Sequence, residues 1–173
     1  MKKYFTTIFI LLVLCMFTAS CYSDEASKWY SKGVRYYKAR LYGDAIECFN
    51  KSIRLNSDNP DAYFWRGKAY FDTYRLEEAI SDFTKFIESN PNSPSAYYWR
   101  GRSYNEKRDH EKAIPDYSRA IELDPDNDKY YYSRGMLYRN NSKIYGLDEA
   151  ERDYRKACEL GHSFACDRLR SLY

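Results

Sequence analysis

The chain has 173 residues, 44% of them apolar and 31% charged, which is typical of a folded protein and excludes an intrinsically disordered chain. Its net charge of +3 belongs partly to the first 20 residues, which hold two lysines and no acidic residue. The rest carries 26 basic and 25 acidic side chains without a Lys/Arg cluster of the nucleic-acid-binding kind. We therefore exclude nucleic acid as a partner.

The first 20 residues have the organisation of an export signal. A basic start at 2–3 precedes an apolar run over 4–17, which is shorter than the roughly 20 residues that a membrane span needs. The following T-A-S-C, ending at Cys21, resembles a bacterial lipobox, although Thr18 stands where that family usually has leucine. The resemblance implies lipidation at Cys21 and a lipid-anchored protein of the bacterial cell envelope. Cleavage after Ser20 with release of a soluble secreted or periplasmic protein is the alternative.

A period of 34 residues runs through the rest of the chain. Each copy has an aromatic residue four positions before a glycine and a tyrosine three positions after it; the glycines are Gly33, Gly67, Gly101 and Gly135. In the first three copies an alanine and a ring follow at fixed spacing, beginning with Ala45 and Phe49. These spacings lie along helical stripes, so each copy predicts two amphipathic helices that bury their stripes by stacking on neighbours.

This pattern resembles the tetratricopeptide repeat over residues 26–157. The resemblance implies an all-α fold, a right-handed α-solenoid of four helix hairpins with a C-terminal capping helix. A short tether is expected over 21–25, and three extra residues in the fourth copy are expected in a longer turn at 140–143. The expected repeats and cap helix are 26–59, 60–93, 94–127, 128–160 and 162–173.

Three prolines constrain where helices begin. Pro60 and Pro94 each follow a capping side chain and are expected as the first residues of helices. Pro115 removes a backbone donor, so its helix is expected to begin close to Glu111.

The residues give little support to catalysis. The two histidines, His110 and His162, lie in predicted turns without a serine or cysteine nucleophile at a recognisable spacing. Acidic pairs such as Glu77 and Glu78 fit helix starts, where the helix dipole favours negative charge. We expect no enzymatic activity, no cofactor and no metal.

A cysteine pair stands near the C-terminus, in the sequence A-C-E-L-G-H-S-F-A-C. Cys158 and Cys166 end one helix and open the next across a glycine turn. This resembles the hairpins of secreted Sel1-like repeat proteins and implies a disulfide, which an exported protein can form. Two small buried residues in a tight helix contact are the alternative. Cys48 is expected to stay unpaired in the core.

An arginine precedes the glycine in three copies, and an aspartate follows at the corresponding place in the second helix of each. These residues are Arg66, Arg100 and Arg134 with Asp82, Asp116 and Asp153. Because the copy with lysine at this position lacks the aspartate, we infer bidentate Arg–Asp bonds that tie helices together. Arginines presented to an anionic ligand are the alternative.

In the tetratricopeptide family the first helix of each repeat lines a concave groove, at positions one, five and eight past the conserved aromatic residue. On this sequence the groove positions include Val34. The others are Tyr30, Tyr37, Phe64, Lys68, Phe71, Tyr98, Arg102, Asn105, Tyr132, Met136 and Arg139. Rings mixed with cations suit an extended peptide with hydrophobic and acidic side chains. Packing between neighbouring first helices is the alternative for the rings.

Members of the family that bind chaperone tails hold a C-terminal carboxylate with a lysine, asparagine and arginine clamp. Val34 and Trp65 stand where its asparagines would be, which disfavours that ligand. The sequence thus predicts an exported module that binds a protein or peptide partner. A cell-wall glycan that stacks on the same rings is the alternative ligand.

Overall fold

The computed structural model describes residues 24–141 and 146–172, so the predicted signal and Cys21 lie outside the described part of the chain. Within that part there are nine helices and no strand, which confirms the all-α helical-repeat fold. The helices are α1 (24–38), α2 (Tyr42–Leu55), α3 (Pro60–Asp72), α4 (Leu76–Ser89), α5 (Pro94–Glu106), α6 (His110–Leu123), α7 (Asp128–Asn140), α8 (Asp148–Glu159) and α9 (Ser163–Arg170).

Helix starts follow the proline and capping pattern. Pro60 is the first residue of α3, where the Asn59 side chain accepts a hydrogen bond from the Asp61 amide. Helix α6 begins at His110, one residue before the expected Glu111, and Pro115 lies in its second turn. Both Glu111 and Pro115 are exposed, so water can reach the backbone carbonyl that the proline leaves without a donor.

The turns inside the first three hairpins share one backbone conformation. Arg40, Tyr74 and Arg108, each 34 residues from the next, have φ of 61°, 61° and 63°. In the first and third of these turns the chain closes a Schellman motif, with backbone hydrogen bonds of 2.9 Å from Leu41 to Tyr36 and from Asp109 to Tyr104. The repeat therefore extends to the backbone of its connections.

The chain forms two compact units, residues 1–73 and 74–173. In the described part of the first unit, α2 packs against α3, and Phe49 and Ala69 are fully buried. The Ser52 hydroxyl donates to the Ala26 carbonyl at 2.9 Å and so joins α2 to α1. Helix α1 already includes Asp24 and Glu25, which were expected in the tether.

In the second unit each helix from α4 to α9 packs against the next one along the chain. The repeated alanines and rings form its core, where the side chains of Phe83, Tyr117 and Tyr154 are at most 1% exposed. Ala165 brings α9 onto the same core beside Tyr154 and Ala157. Leu169 and Leu172 are partly buried against the same cluster.

Glycine in the first helix of a hairpin allows the second helix to approach closely. A Cβ at Gly33 would lie 2.6 Å from Phe49 Cε1, and one at Gly101 would lie 3.1 Å from Tyr117 Cδ1. Real Cβ contacts shorter than 3.0 Å essentially do not occur. The repeated glycine is thus explained by a ring from the next helix that packs directly on the backbone.

Helices α8 and α9 are also joined covalently. Cys158 and Cys166 form a disulfide with their Cα atoms 4.8 Å apart, across a turn in which Gly161 has φ of 97°. Cys48 carries a free, buried thiol. Among the helices of residues 24–141 and 146–172, none is both long and apolar enough to cross a membrane.

Candidate binding surface on the first helices

Two of the repeated arginines bind aspartates inside the protein. Arg100 donates from Nε and Nη2 to the two carboxylate oxygens of Asp116, each at 2.8 Å, and Arg134 does the same with Asp153. The aspartate side chains are only 8% and 7% exposed. Hydrogen bonding to Asp116 raises the pKa of Arg100 above its ordinary value. Arg66 and Asp82 belong to different units, and their pairing stays a prediction.

The same arginines also reach the second helix of the preceding hairpin. Nη1 of Arg100 donates to Thr84 Oγ1 at 3.2 Å, and Nη1 of Arg134 donates to Ser118 Oγ at 2.8 Å. In the first unit, Arg66 Nη1 donates to Asn50 Oδ1 at 2.7 Å. With all three donor nitrogens of Arg100 and Arg134 engaged, we assign these two guanidiniums to the scaffold rather than to a ligand.

Predicted groove residues of the first unit gather around one ammonium. Lys68 Nζ lies 4.5 Å from the ring centroid of Trp65, 5.0 Å from that of Tyr37 and 5.9 Å from that of Phe64. The Tyr37 hydroxyl donates to Asp72 Oδ2 at 2.6 Å. We call Tyr37, Phe64, Trp65 and Lys68 the Lys68 cluster. It joins α1 to α3 and combines a positive charge with apolar ring surface.

Two other predicted groove residues of this unit are half-buried. Tyr30 in α1 has its ring 6.2 Å from that of Phe49. Burial raises the pKa of Tyr30, the Asp61 carboxylate raises it further, and a hydrogen bond from Trp65 opposes both. Phe71 lies near the end of α3. Tyr30 thus belongs partly to the core of its hairpin.

The second unit repeats the cation and ring arrangement one copy later. The Arg102 guanidinium carbon lies 4.6 Å from the ring centroid of Trp99 and 5.8 Å from that of Tyr98. The Tyr98 ring is 5.0 Å from that of Tyr130 and 6.0 Å from that of Tyr117. We call Tyr98, Trp99, Arg102 and Tyr130 the Tyr98 cluster.

Asn105 lies apart from this cluster, at the other end of α5. It lines a depression of about 390 Å³ whose other lining residues include Arg108 and His110. This depression lies beside the turn between α5 and α6, and polar side chains line it.

In the fourth copy the predicted groove residues contact the C-terminal helices. The Tyr132 ring stacks on His162 with centroids 4.1 Å apart, and Met136 packs against the core cluster that contains Tyr154. Burial raises the pKa of Tyr154 to about 12 although the nearby Arg139 lowers it. For Tyr132 and Met136 the interpretation as internal packing has direct contacts in its favour.

The groove residues predicted from the sequence did not include Trp65, Trp99 or His162, which contact them in the structure. The two tryptophans stand at the same repeat position, in W-R-G-K and W-R-G-R, so the period itself carried a signal for them. His162 lies in the turn before α9, outside the period, and the sequence holds no comparable signal for its stacking on Tyr132.

The arrangement supplies noncovalent binding chemistry. Half-buried cations beside aromatic rings, such as Lys68 and Arg102, can bind carboxylates and apolar side chains together. Within the described residues no group of three or more His, Cys, Asp or Glu side chains is placed to hold a metal ion.

Known family models match most of the chain. Tetratricopeptide repeat models match residues 60–93, 94–127 and 117–152, and a model described as TPR repeat matches 33–73. No curated protein matches the chain.

Solved structures give similar folds. A crystal structure of MamA is 28% identical, with a TM-score of 0.75 over 86% of this chain and 82% of that chain. MamA 41-end from Desulfovibrio magneticus RS-1 is 22% identical, with a TM-score of 0.76 over 81% and 77% of the two chains, and shows the fold alone. The first TPR of Spaghetti (RPAP3), bound to the HSP90 peptide SRMEEVD, is 28% identical, with a TM-score of 0.67 over 69% of this chain and 95% of its own.

Proposed function

Because the chain belongs to the tetratricopeptide repeat family, whose domains mediate protein–protein interaction, we propose that it binds an extended peptide of a partner protein on its first helices. The observation that carries the proposal is the recurrence of a cation over a tryptophan ring. Lys68 and Arg102, one repeat apart, lie 4.5 and 4.6 Å from their tryptophan centroids. Each of the two compact units therefore offers the same chemistry to a ligand.

The chemistry of these clusters favours a peptide with acidic and hydrophobic side chains. Carboxylates pair with the two cations, and apolar side chains pack on the rings beside them. The peptide SRMEEVD bound by the Spaghetti domain has this composition, with three acidic residues beside methionine and valine. That likeness supports the proposed ligand class.

The free carboxylate of a chaperone tail is not the proposed ligand. Trp65 stands where a clamp asparagine would be, and its ring is 5.2 Å from that of Tyr37 with Lys68 above it. Ring surface therefore replaces an amide donor. We expect amidation of a peptide's C-terminus to change its affinity less than about twofold, because internal side chains provide the contacts.

A glycan remains the second candidate ligand because of the aromatic content of the surface. Sugar stacking needs an open ring face. The Tyr98 ring is instead surrounded by the rings of Tyr117 and Tyr130, and the Arg102 guanidinium lies 5.8 Å from its centroid. This crowding favours the peptide. Salt separates the two ligands, since charge pairing weakens at high ionic strength and stacking on sugars scarcely responds.

The site of action is also part of the proposal. We propose that the protein is exported and lipid-anchored through Cys21, on the basis of the basic start, the apolar run and the lipobox-like T-A-S-C. Metabolic labelling with a fatty-acid analogue should mark the wild-type protein and not Cys21→Ala. Equal labelling of both would refute the anchor, and retention of both in the cytoplasmic fraction would refute export.

Photo-crosslinking in living cells tests the binding function. A photoreactive residue at position 98 should capture a partner protein, identified by mass spectrometry, and Arg102→Glu in the same chain should abolish the capture. Position 85 provides the matched control, because the Lys85 side chain is 58% exposed and lies on a second helix. Equal capture from both positions, or capture of glycan at position 98, would refute the peptide function.

A binding measurement then tests the two cations. With the captured segment as a synthetic peptide, Lys68→Ala and Arg102→Ala should each raise the Kd about 3- to 10-fold, and added salt should shrink that difference. Lys85→Ala should leave the Kd unchanged. If neither cluster variant changes the Kd, the two clusters are not part of the binding site.

A further inference from the structure

A second surface that combines rings and cations lies on α1, beside its core side. The core side holds Ala26, which is 2% exposed, and Gly33, against which Phe49 packs. The adjoining side, which we call the outer face of α1, includes half-buried Trp29 and Tyr36 and bears two depressions of about 320 and 390 Å³ that share Lys32 and Arg35. Its residues are Lys28, Trp29, Lys32, Arg35, Tyr36 and Ala39.

In later copies the same helix face is covered. The position of Lys32 is occupied by arginines that donate hydrogen bonds to the preceding hairpin, and Arg100 and Arg134 are only 19% and 20% exposed. By contrast, Arg35 and Ala39 are exposed and Leu41 is 49% exposed. This face of α1 is partly covered, since Lys51 of α2 lies over the Trp29 ring. It retains the aromatic and basic residue types that pack against a neighbour elsewhere.

The first hairpin carries an excess of positive charge. Residues 24–55 hold seven basic and four acidic side chains, whereas the chain from residue 21 onward holds 26 and 25. Lys32 Nζ lies 5.1 Å from the Trp29 ring centroid and 5.5 Å from that of Tyr36, and Lys51 Nζ lies 4.2 Å from that of Trp29. Of the nearby acids, Asp24 is paired with Lys28 and Glu25 lines the smaller depression.

We propose that the outer face of α1 rests on a membrane surface that contains anionic lipid. Tryptophan and tyrosine favour the depth of the lipid headgroups, and lysine and arginine are attracted to anionic headgroups by about 1 kcal/mol each. A surface that carries both residue types matches the headgroup level of such a membrane.

The beginning of the chain supports this occupant over others. The proposal rests on the proposed anchor at Cys21 only for placement. Two residues separate Cys21 from Asp24, the first described residue of α1, so the Cα atoms of Cys21 and Asp24 are at most about 11 Å apart. Acyl chains at Cys21 would therefore bring α1 to the headgroups before any other helix. The Lys68 and Tyr98 clusters use other residues and stay available for the partner peptide.

Vesicle binding without the anchor tests the proposal. The chain from residue 21, with Cys21→Ser to prevent acylation, is mixed with phosphatidylcholine vesicles that contain about 30% phosphatidylglycerol or none. We expect binding to the anionic vesicles at about 50 mM salt and loss of binding at about 500 mM. Lys32→Gln with Arg35→Gln should weaken binding about 25-fold, since each charge contributes about fivefold.

A matched variant controls for net charge. Lys129→Gln with Arg170→Gln removes two exposed cations from the second unit and should change binding less than about twofold. Circular dichroism of every variant verifies the fold, because the substituted side chains lie on the surface.

Four outcomes would overturn the proposal: no binding to anionic vesicles, equal binding to neutral vesicles, an equal loss in the control variant, or self-association that only the α1 variant disrupts. The last outcome would assign the face to a second copy of the chain. Failure of fatty-acid labelling at Cys21 refutes the anchor and leaves the vesicle result intact, so the two proposals fail separately.

Discussion

The guanidinium of Arg100 and the carboxylate of Asp116 meet edge to edge, through two parallel hydrogen bonds of 2.8 Å. The pair joins α5 to α6 where the side chains are 19% and 8% exposed. Both charges are thus largely removed from water, and each depends on the other for compensation.

Asp116→Ala is expected to lower the free energy of unfolding by about 3–5 kcal/mol, because it leaves the Arg100 guanidinium buried without its anion. Urea denaturation measures the change. Glu88→Ala is the matched control, since the exposed Lys85–Glu88 pair should contribute less than about 1 kcal/mol. Unchanged stability together with lost peptide affinity would reassign Arg100 to the ligand.

Gly33→Ala is expected to destabilise the first hairpin by about 1–3 kcal/mol. Its added Cβ would lie 2.6 Å from Phe49 Cε1, and the fully buried Phe49 ring has little room to move. Gly43→Ala in α2 is the comparison, because its Cβ meets no described atom within 4 Å and should stabilise by about 0.5 kcal/mol. Thermal unfolding of both variants measures the difference, and equal effects would contradict close packing at Gly33.

The disulfide is expected to stabilise the protein by about 2–3 kcal/mol through the short loop that it closes between residues 158 and 166. The measurement is urea unfolding of the chain from residue 21 with Cys21→Ser, with and without reductant. The same chain with Cys158→Ser/Cys166→Ser is a variant that reductant should not affect. Thiol titration of the denatured, unreduced chain should find one thiol, Cys48, while three would show that the bond does not form.

Stability is expected to fall between pH 10 and pH 12. Burial raises the pKa of Tyr154 to about 12, above its ordinary value of 10.0, so the unfolded chain loses this proton first. Above pH 10 the unfolded state binds fewer protons than the folded state, and the free energy of unfolding drops by up to about 1.4 kcal/mol per pH unit for this group. Tyr154→Phe should reduce the slope measured by urea unfolding at pH 9, 10 and 11. An unchanged slope would contradict the shift.

The repeat period allowed the fold to be predicted in detail. Gly33 and Gly101, each at a fixed distance from rings and alanines, set the register of both helices in a hairpin, and Pro60 marks a helix start to the residue. The start of α6 differed by one residue from the expected Glu111, because the Asp109 side chain accepts from Lys112 and caps the helix at that point.

Contacts made by variable residue types, or by residues outside the repeats, could not be predicted in the same way. The hydrogen bonds from Arg100 to Thr84 and from Arg134 to Ser118 use an acceptor whose residue type varies between copies. The stacking of Tyr132 on His162 depends on the turn before α9, whose conformation the repeat does not specify. The outer face of α1 has the repeat's usual residue types, and only the fold distinguishes it from its covered equivalents.

Helix α6 receives hydrogen bonds from two guanidiniums, at Asp116 from the helix before it and at Ser118 from the helix after it. If either neighbouring helix opens, a hydrogen bond between its guanidinium and α6 is lost, and a charged group is left without that partner. Hairpins of a linear array can in principle melt one at a time, each as an independent segment. Here the shared guanidiniums make partial melting costly, so we expect α5 to α8 to form a single cooperative foldon whose amide hydrogens exchange with one common free energy.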